Sequence, residues 1–385
     1  MITNRFAAAT RGAWVTALLL ASAAPLAAQG NLGTQGLGYP VGQLSTRARS
    51  LGGAVVEQDP ISATNPASVA LWGRAAIHVQ FEPERRATTV PGASDLTGVT
   101  RFPMIAAGIG LGSRAAIALH ISSFLDRTWL NEFRGTEIVG PDTSAFTERT
   151  GVRGALADTR LVFGVQLPAK LRVGLAAHAI TGEHRLNTRR AYDTASALIG
   201  FSRSQSLRYA GRALSIGAGW DPTSWISFGV SKRFGGDLDA VNDTVGFRAD
   251  GRVPDRWGAG LAVEAARGFV VSARHERVEW TALRPLVESP IPVTDGRETS
   301  VGAEYGAASI FRLPASLRLG WSDRQLPFGV GTNTVRERGL AGGLGLLFAG
   351  GRFAVDVGYQ VARRTAGANV SETGSFVSLG IAVRP

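Results

Sequence analysis

The sequence predicts an all-β protein: a 14-stranded antiparallel transmembrane β-barrel with an N-terminal hatch, or plug, inside its lumen. Three observations predict this fold. Apolar and polar side chains alternate with a period of two, the alternating segments are mostly about 9 to 13 residues long, and short connections alternate with long ones. A tilted strand needs roughly 9 to 11 residues to cross a bilayer, so these segments have the length of membrane strands.

The alternating segments have one apolar face and one face of small or polar residues. Residues 75–82 read Ala-Ala-Ile-His-Val-Gln-Phe-Glu, and residues 171–178 read Leu-Arg-Val-Gly-Leu-Ala-Ala-His. A soluble β-sandwich would carry charges on its outward face and large side chains inside. Here the polar face is rich in glycine, alanine and serine, which suits the interior of a wide barrel that holds a plug. We therefore expect the apolar face to contact lipid.

Fourteen such segments lie between residues 74 and 384, an even number that returns both ends of the barrel to one side of the membrane. Short connections such as Gly112-Ser113 predict periplasmic turns, and residues 306–315 predict a longer one. Long connections predict outer loops. These predicted loops are residues 85–100, 126–157, 184–206, 234–254, 280–297, 324–337 and 364–374.

Tryptophan positions agree with this orientation. Trp220 and Trp225 flank a short turn, where a periplasmic aromatic girdle would lie. Trp257, Trp280 and Trp321 fall near the opposite strand ends, and we expect them in the outer girdle.

The first 28 residues predict a secretory signal peptide. Arg5 and Arg11 precede an apolar run over residues 14–25, and cleavage is expected near Ala28 or Gln29. No other stretch approaches twenty apolar residues, so we expect no transmembrane helix in the mature chain. The predicted domains are the signal peptide at 1–28, the hatch at 29–73 and the barrel at 74–385.

The composition excludes several classes of site. The absence of cysteine excludes disulfides and thiolate metal sites, and no motif predicts a cofactor or a metal. The net charge of +11 comes from scattered arginines, whereas a nucleic-acid-binding protein would cluster them on one face. Arginines near the outer strand ends could bind outer-membrane lipid and lipopolysaccharide, attract carboxylated substrates, or simply be solvated. We expect a monomer with no nucleic-acid partner.

Residues 47–72 do not fit the strand pattern. Gly52, Gly53, Pro60 and Pro66 break this stretch every few residues, yet it carries apolar side chains that need burial inside something larger. The simplest interpretation is that it lies within the barrel.

This stretch resembles the N-terminal hatch of the FadL-type outer-membrane transporters. The resemblance lies in the small-residue run 50–56, the acidic spacer 57–59 and the phrase Asn65-Pro66-Ala67 that leads into the first strand. It implies a channel of the cell outer membrane for passive uptake of hydrophobic small molecules such as long-chain fatty acids. It also implies that Asn65, Pro66 and Ala67 form a hatch switch, which proline would ease because it removes a backbone donor.

PorV-type barrels open with a similar Asn-Pro-Ala phrase. A second hypothesis is therefore a non-transporting barrel that serves as a partner or shuttle in protein secretion, and a general porin is a third. No enzymatic function is predicted. His120 and Ser122 resemble the His-x-Ser pair of outer-membrane phospholipase A, but that pair faces lipid, whereas here Ile117, Leu119 and Ile121 occupy the lipid face.

Two further groups of residues are candidates for the functional site. Apolar residues of a predicted outer loop are candidates for the groove through which substrates enter: Leu130, Phe133, Ile138 and Phe146. Residues on the polar faces of strands are expected to line the lumen: His78, His120, Ser122, His178 and Asp356.

Overall fold

The computed structural model of the protein describes residues 32–90, 93–139, 142–193, 198–242, 245–287, 290–367 and 370–384. The predicted signal peptide lies outside these ranges. Within them the chain forms eighteen β-strands. Their bounds are β1 Tyr39–Pro40, β2 Ala76–Val90, β3 Ala93–Leu111, β4 Ala115–Asp126, β5 Trp129–Val139, β6 Asp142–Arg153, β7 Ala155–Gln166, β8 Leu171–Tyr192, β9 Phe201–Trp220, β10 Ile226–Asn242, β11 Phe247–Arg252, β12 Arg256–Ala266, β13 Phe269–Val278, β14 Gly296–Ile310, β15 Leu313–Gln325, β16 Arg336–Phe348, β17 Phe353–Ala366 and β18 Val370–Val383.

The helical segments of the described chain are all short. The one α-helix among them is Thr46–Ser50, and none is long and apolar enough to cross a bilayer. The 3-10 helices are Leu32–Thr34, Val56–Gln58, Pro66–Leu71, Pro168–Lys170, Trp280–Leu286 and Ala349–Gly351.

Fourteen of the described strands pair side by side into a closed antiparallel barrel. The ring runs through β2, β3, β4, β7, β8, β9, β10 and β12 to β18, and β18 pairs with β2 to close it. β5 and β6 form a hairpin between β4 and β7 in the sequence. β6 also pairs with the C-terminal part of β8, from Arg185 to Tyr192. β11 folds back on β10. The predicted 14-stranded barrel is confirmed.

Alternation sorts the side chains between the two faces of this wall. Along β8 the odd-numbered residues from Leu171 to Thr181 are exposed on the outward face, and the even-numbered residues from Arg172 to Ile180 are buried. Outward positions elsewhere carry large apolar side chains, for example Leu340, which is 64% exposed. An apolar outer surface on a closed barrel is the surface that a bilayer covers.

The two ends of the barrel differ in their connections. Short turns join the strands at one end, here named the turn end, which also holds Ala76 and Val383. The predicted longer turn at 306–315 is wrong, because β14 and β15 pair as far as Ile310 and Leu313 and leave two residues between them. The opposite end is named the loop end.

At the loop end, regular pairing continues beyond the apolar band, so several predicted loops are wrong. Strands fill most of residues 85–100, 234–254 and 364–374 and much of 184–206. Residues 126–157 contain the β5–β6 hairpin. The prediction ended each strand where its outward face stopped being apolar, whereas backbone hydrogen bonds between strands do not require an apolar face.

The tryptophans follow the predicted girdles with one exception. Four of them are exposed near the strand ends: Trp220, Trp225, Trp257 and Trp321. Trp280 is buried inside the barrel, where its ring centroid lies 5.6 Å from that of Phe124. Its prediction as a girdle residue is wrong, because the helical segment that begins at Trp280 interrupts the strand alternation.

Residues 32–72, here named the hatch, lie inside the ring of strands. The α-helix Thr46–Ser50 contacts β15 to β18, and the 3-10 helix Pro66–Leu71 contacts β4, β7, β8 and β9. A glycine on the inward face permits close approach, since a Cβ added at Gly320 would overlap the backbone of Leu51. Hatch and wall are therefore packed backbone against backbone at this point.

Candidate functional site

Buried ion pairs fasten the hatch to the wall. Glu57 Oε1 lies 2.7 Å from Arg256 Nη2 and 3.5 Å from Arg274 Nε. Arg49 Nε lies 2.6 Å from Glu82 Oε2. All five side chains are buried. Removing one partner of a buried ion pair leaves an uncompensated charge, which costs about 3–5 kcal/mol, so these contacts hold the hatch in place.

Asp59 organises the hatch itself. Its Oδ2 accepts a hydrogen bond from Ser45 Oγ at 2.6 Å and another from the backbone N–H of Ser62 at 3.1 Å. The next residue, Ala63, has φ = 45°, a left-handed conformation that costs a non-glycine residue about 1–2 kcal/mol. The Asp59 carboxylate therefore holds a tight and strained loop.

The residues of the predicted hatch switch begin the following helix. Asn65 Oδ1 accepts a hydrogen bond from the N–H of Ala67 at 3.0 Å and so caps the 3-10 helix Pro66–Leu71. Asn65 Nδ2 donates to the carbonyl oxygens of Glu57 at 3.1 Å and Ala218 at 3.0 Å. Asn65 thus connects this helix, the Glu57 segment and strand β9.

His120 and Ser122 share the inward face of β4 but contact different groups. His120 is fully buried, and its ring centroid lies 5.6 Å from that of Trp72. Ser122 Oγ accepts hydrogen bonds from Gln43 Nε2 at 3.0 Å and from Arg160 Nη2 at 3.2 Å. Both residues therefore pack beside the hatch without a hydrogen bond between them.

His178 stands in a row of hydrogen bonds with Asp158 and Ser215. His178 Nδ1 lies 3.0 Å from Asp158 Oδ1, and Nε2 lies 2.7 Å from Ser215 Oγ. Gln43 of the hatch donates to Asp158 Oδ2 at 2.7 Å. All three wall side chains are buried, so the row satisfies polar groups where hatch and wall meet. Sequence reasoning missed Asp158 and Ser215, although both lie on inward positions of alternating strands.

Two cavities lie on opposite sides of the hatch. The first has a volume of about 60 Å³, and its lining includes Pro40, Gln43 and Thr64. The second has a volume of about 460 Å³, and its lining includes the predicted lumen residues His78 and Asp356. Ligand pockets start at roughly 300 Å³, so the first cavity has room for only a few water molecules. The hatch therefore leaves little space beside Pro40, Gln43 and Thr64.

A short tract of the hatch separates the two cavities. Asp59, Pro60 and Ile61 line the larger cavity, and Thr64 lines the smaller one. The tract between them contains the strained Ala63. This tract is therefore the part of the chain that lies between the two cavities.

The smaller cavity combines aromatic rings with an arginine, Arg233, that forms no ion pair with the described residues. Phe124 and Trp280 form an apolar part of its wall. Arg233 Nε donates to the carbonyl oxygen of Pro254 at 3.1 Å, and its guanidinium lies 5.1 Å from the centre of the Phe124 ring. None of the described carboxylates forms an ion pair with it. Such a cation can bind the acidic head of an apolar molecule. Sequence reasoning missed Arg233, whose inward position on β10 was the available signal.

Beside this cavity the backbone pairing between two neighbouring wall strands is incomplete. This junction of β3 and β4 is here named the β3–β4 seam. Toward the loop end, β3 and β4 pair only as far as Met104 and Ser122. Beyond that point the edge of β4 is taken by the hatch strand β1, where Pro40 pairs with Leu125. The hatch therefore completes the wall with a two-residue strand.

Local sequence features explain why β3 parts from β4. A register shift between Gln80 and Glu82 disturbs the pairing of β2 with β3, and Pro103 of β3 has no N–H to donate. On the hatch side, Gly38 has φ = 109°, and an added Cβ would overlap the backbone of Asp126. A glycine is needed here for the hatch strand to lie against β4.

Apolar side chains border the seam from the cavity to the outside. Phe124 lines the cavity on the inner side. On the outward face Phe81 and Phe102 lie with 5.3 Å between their ring centroids. Ile105 and Ile121, both exposed, pair with each other near the end of the ladder. An apolar molecule would meet apolar surface on both sides of the seam.

Tyr39 holds the hatch strand in the seam. Its hydroxyl donates to Glu337 Oε2 at 3.1 Å and accepts a hydrogen bond from Arg324. Across the seam, Arg101 of β3 pairs with Asp126 of β4. Side chains thus bridge the two strands where the backbone ladder has ended.

The four candidates for the groove through which substrates enter lie on the β5–β6 hairpin. Phe133 and Phe146 share one face, with 5.8 Å between their ring centroids. Leu130 and Ile138 are exposed and lie on the opposite face of β5, because alternate residues of a strand point to opposite sides. The structure therefore brings two of the four together and separates them from the other two.

No protein-family model matches the chain, and no curated protein matches it. Solved structures match its fold. A FadL homologue from Pseudomonas aeruginosa has a TM-score of 0.61 and 12% sequence identity, covering 92% of this chain and 100% of its own. The toluene transporter TodX of Pseudomonas putida has a TM-score of 0.58 and 13% identity, covering 89% and 98%.

The CymD monoaromatic hydrocarbon channel gives a similar result. Its TM-score is 0.56 at 14% sequence identity, covering 89% of this chain and 97% of its own. The protein therefore has the barrel fold of the FadL homologue and of the TodX and CymD channels.

Proposed function

We propose that the protein is an outer-membrane channel, acting as a monomer, for the passive uptake of hydrophobic small molecules. The observation that carries this proposal is the β3–β4 seam, where a two-residue hatch strand stands between a partly apolar cavity and the outward face. Channels named for toluene and monoaromatic hydrocarbons share the fold, which supports the proposal.

The proposed route leaves the barrel sideways. The loop end faces the cell exterior, and a molecule passes from there to the cavity beside Phe124. Release of the hatch strand then opens the seam beside Phe102 to the membrane. Pro40 weakens the retained pairing because it has no backbone N–H. A hydrophobic molecule thereby reaches the lipid without crossing a water-filled bore.

Arg233 supports a narrower substrate class, namely hydrophobic molecules that carry a carboxylate, such as long-chain fatty acids. Its guanidinium has no acidic partner among the described residues and lies beside aromatic rings. A carboxylate bound there would form charge-assisted hydrogen bonds, which are roughly twice as strong as neutral ones. The apolar chain would then lie along Phe124 and Trp280.

The hatch switch belongs to the same proposal. Asn65, Pro66 and Ala67 follow the tract that separates the two cavities, and Asn65 holds that tract to β9 through Ala218. Movement of the tract would widen the smaller cavity. The strained backbone of Ala63 supports this, because its release favours the moved state.

Two other functions make different predictions. A general porin needs an open polar bore, whereas here the hatch occupies the lumen between two separate cavities. A PorV-type secretion partner would copurify with secretion components and would not move small molecules. The buried arginine and the interrupted seam favour transport, since a docking barrel needs neither.

The test is uptake into protein-containing liposomes of oleate, toluene and glucose. We expect oleate and toluene to enter faster than into empty liposomes and glucose not to. Arg233→Gln should slow oleate and leave toluene unchanged. Lys232→Gln is the matched control, because it removes the same charge at the next position on the outward face. Passage of glucose alone would refute the proposal, as would equal loss of oleate uptake in both variants.

A further inference from the structure

Arginines occupy directly opposed positions on the outward face of the barrel. Within the described strands four such pairs stand on neighbouring strands: Arg149 with Arg189, Arg153 with Arg185, Arg277 with Arg297, and Arg338 with Arg363. Opposed side chains on one face lie about 5 Å apart, and like charges there are destabilising. The outward face therefore carries a repulsion that needs a compensating partner.

Two pairs on the inward face show the opposite arrangement. Arg324 of β15 stands directly opposite Glu298 of β14, and Arg364 of β17 stands directly opposite Glu337 of β16. Opposite charges face each other at these two inward positions, whereas like charges face each other at the four outward ones. The inward Glu276 and Glu298 are also directly opposed, but Arg274 lies against both carboxylates.

In each outward pair one arginine forms an ion pair with an acidic side chain, and the other forms none within the described part of the chain. The paired members are Arg149 with Glu132 (2.7 Å), Arg185 with Glu183 (3.0 Å), Arg277 with Asp295 (3.8 Å) and Arg338 with Asp323 (3.4 Å). The remaining four make no ion pair with any described residue: Arg153, Arg189, Arg297 and Arg363. The outward surface therefore has positive charge that an external anion can neutralise.

Two of the four pairs lie at the border of the apolar band. Leu340, which is exposed, is the next outward residue after Arg338 on β16, in the direction of the turn end. Arg277 pairs with Trp257, an exposed ring at the level where aromatic side chains meet lipid headgroups. The other two pairs lie farther from the apolar band toward the loop end, where β6 pairs with the C-terminal part of β8.

A groove lies between the two border pairs. Its volume is about 450 Å³, and its lining includes Arg297 on one side, Arg336 on the other, and Trp321 and Asp323 between them. Arg297 and Arg336 are two strands apart, which corresponds to about 10 Å. Asp323 pairs with Arg336, so Arg297 is the cation of the groove that is left for an external anion. Arg297 therefore lies in a groove at the loop-end border of the apolar outer surface.

We propose that this groove and the neighbouring Arg363 bind the phosphates of lipid A, the phosphorylated lipid part of lipopolysaccharide. The inference rests on the outer-membrane location proposed above. Arg297 binds a phosphate in the groove, and Arg363 binds another beside Arg338, because guanidinium groups match phosphate oxygens in geometry and charge. The acyl chains lie along the apolar face below, beside Leu340.

The test is a titration of the purified protein in detergent with lipid A and with dephosphorylated lipid A. We expect lipid A to bind more tightly than its dephosphorylated form. The double variant Arg297→Gln/Arg363→Gln should bind lipid A at least about tenfold more weakly, because it loses two charge-assisted contacts. The titration is repeated with EDTA, which removes binding through divalent cations.

The matched control is Arg153→Gln/Arg189→Gln, which removes the same charge from the two pairs farther out. It should bind lipid A as the native protein does. Equal weakening in both double variants, unchanged binding in the first, or complete loss of binding with EDTA would overturn the proposal. Oleate uptake into liposomes without lipid A should be unaffected in both variants, so failure of the channel hypothesis and failure of this one are distinguishable.

Discussion

The β16–β17 seam and the β3–β4 seam differ in how far the wall pairs with itself. β16 and β17 pair at every position from Arg336 to Phe348. β3 has 19 residues, yet its ladder with β4 ends at Met104. Beyond Met104 the edge of β4 is taken by the hatch strand β1. One seam therefore depends on the wall alone, and the other depends on the hatch.

The difference has a simple energetic basis. The net contribution of one backbone hydrogen bond to stability is about 0.5–1.5 kcal/mol. A long ladder is therefore far harder to open than one of two residues. Pro40 lowers the number of possible bonds further. The side chains of Tyr39 and Arg101 then hold the hatch-dependent seam. Opening the wall therefore costs less at this seam than at the β16–β17 seam.

The largest expected effect comes from locking the hatch-dependent seam. Partner residues on antiparallel strands have Cα atoms about 4.5–5.5 Å apart, which suits a disulfide. The chain has no native cysteine, so the double variant Pro40→Cys/Leu125→Cys has one possible disulfide. We expect oxidation to abolish oleate uptake and reduction to restore it. The control, Leu340→Cys/Val361→Cys in the continuous seam, should transport normally in both states. Full uptake by the oxidised first variant would exclude the seam as the exit.

The second effect comes from releasing the hatch anchor at Glu57. Glu57→Gln removes a carboxylate from beside Arg256 and Arg274, and we expect the free energy of unfolding to fall by roughly 3 kcal/mol. Denaturant titration in detergent measures this change. Glu279→Gln is the control, because Glu279 is exposed and makes no ion pair with a described residue. An equal, small change in both variants would contradict an anchoring role.

The third effect tests the close packing of hatch and wall. Gly320→Ala should lower the free energy of unfolding by about 1–3 kcal/mol, because the new methyl group overlaps the backbone of Leu51. The control is Gly342→Ala on the neighbouring strand, where an added Cβ meets only the carbonyl oxygen of Arg318 at 3.5 Å and should change stability little. Thermal unfolding of the two variants gives the comparison. Similar melting temperatures would mean that the hatch does not press on the wall at Gly320.

The smallest effect concerns the side chains that close the seam. Tyr39→Phe removes the hydroxyl that donates to Glu337, and we expect a loss of about 1 kcal/mol in stability together with faster oleate uptake. Tyr359→Phe, on the outward face of β17, is the control and should change neither quantity. Slower uptake by Tyr39→Phe would indicate that Tyr39 assists passage and does not restrain it.

Much of the barrel could be predicted because alternation is a local property. The inward positions of His120 and Ser122 on β4 follow from the period of two, whatever strand lies beside them. The lengths of strands at the loop end could not be predicted in this way. β8 continues to Tyr192 because β6 and β9 pair with it there, although its outward face has become polar.

The candidate site was less predictable than the wall. Trp280 was expected in a girdle, yet a helical segment buries it against Phe124. Pro103 was a visible signal of a broken ladder, but the sequence did not indicate that the hatch strand would take the vacated edge. Arg233 could not be recognised as lacking an acidic partner, since that depends on which strands surround it.

By itself the sequence determined the strands, their two faces and the presence of an irregular N-terminal segment, because each of these depends on residues close together in the chain. Only the tertiary structure decided which strand edges meet, where the hatch strand enters the wall, and which arginines lack acidic partners. These features depend on contacts between residues far apart in the sequence, such as Pro40 with Leu125, and side-chain periodicity carries no information about them.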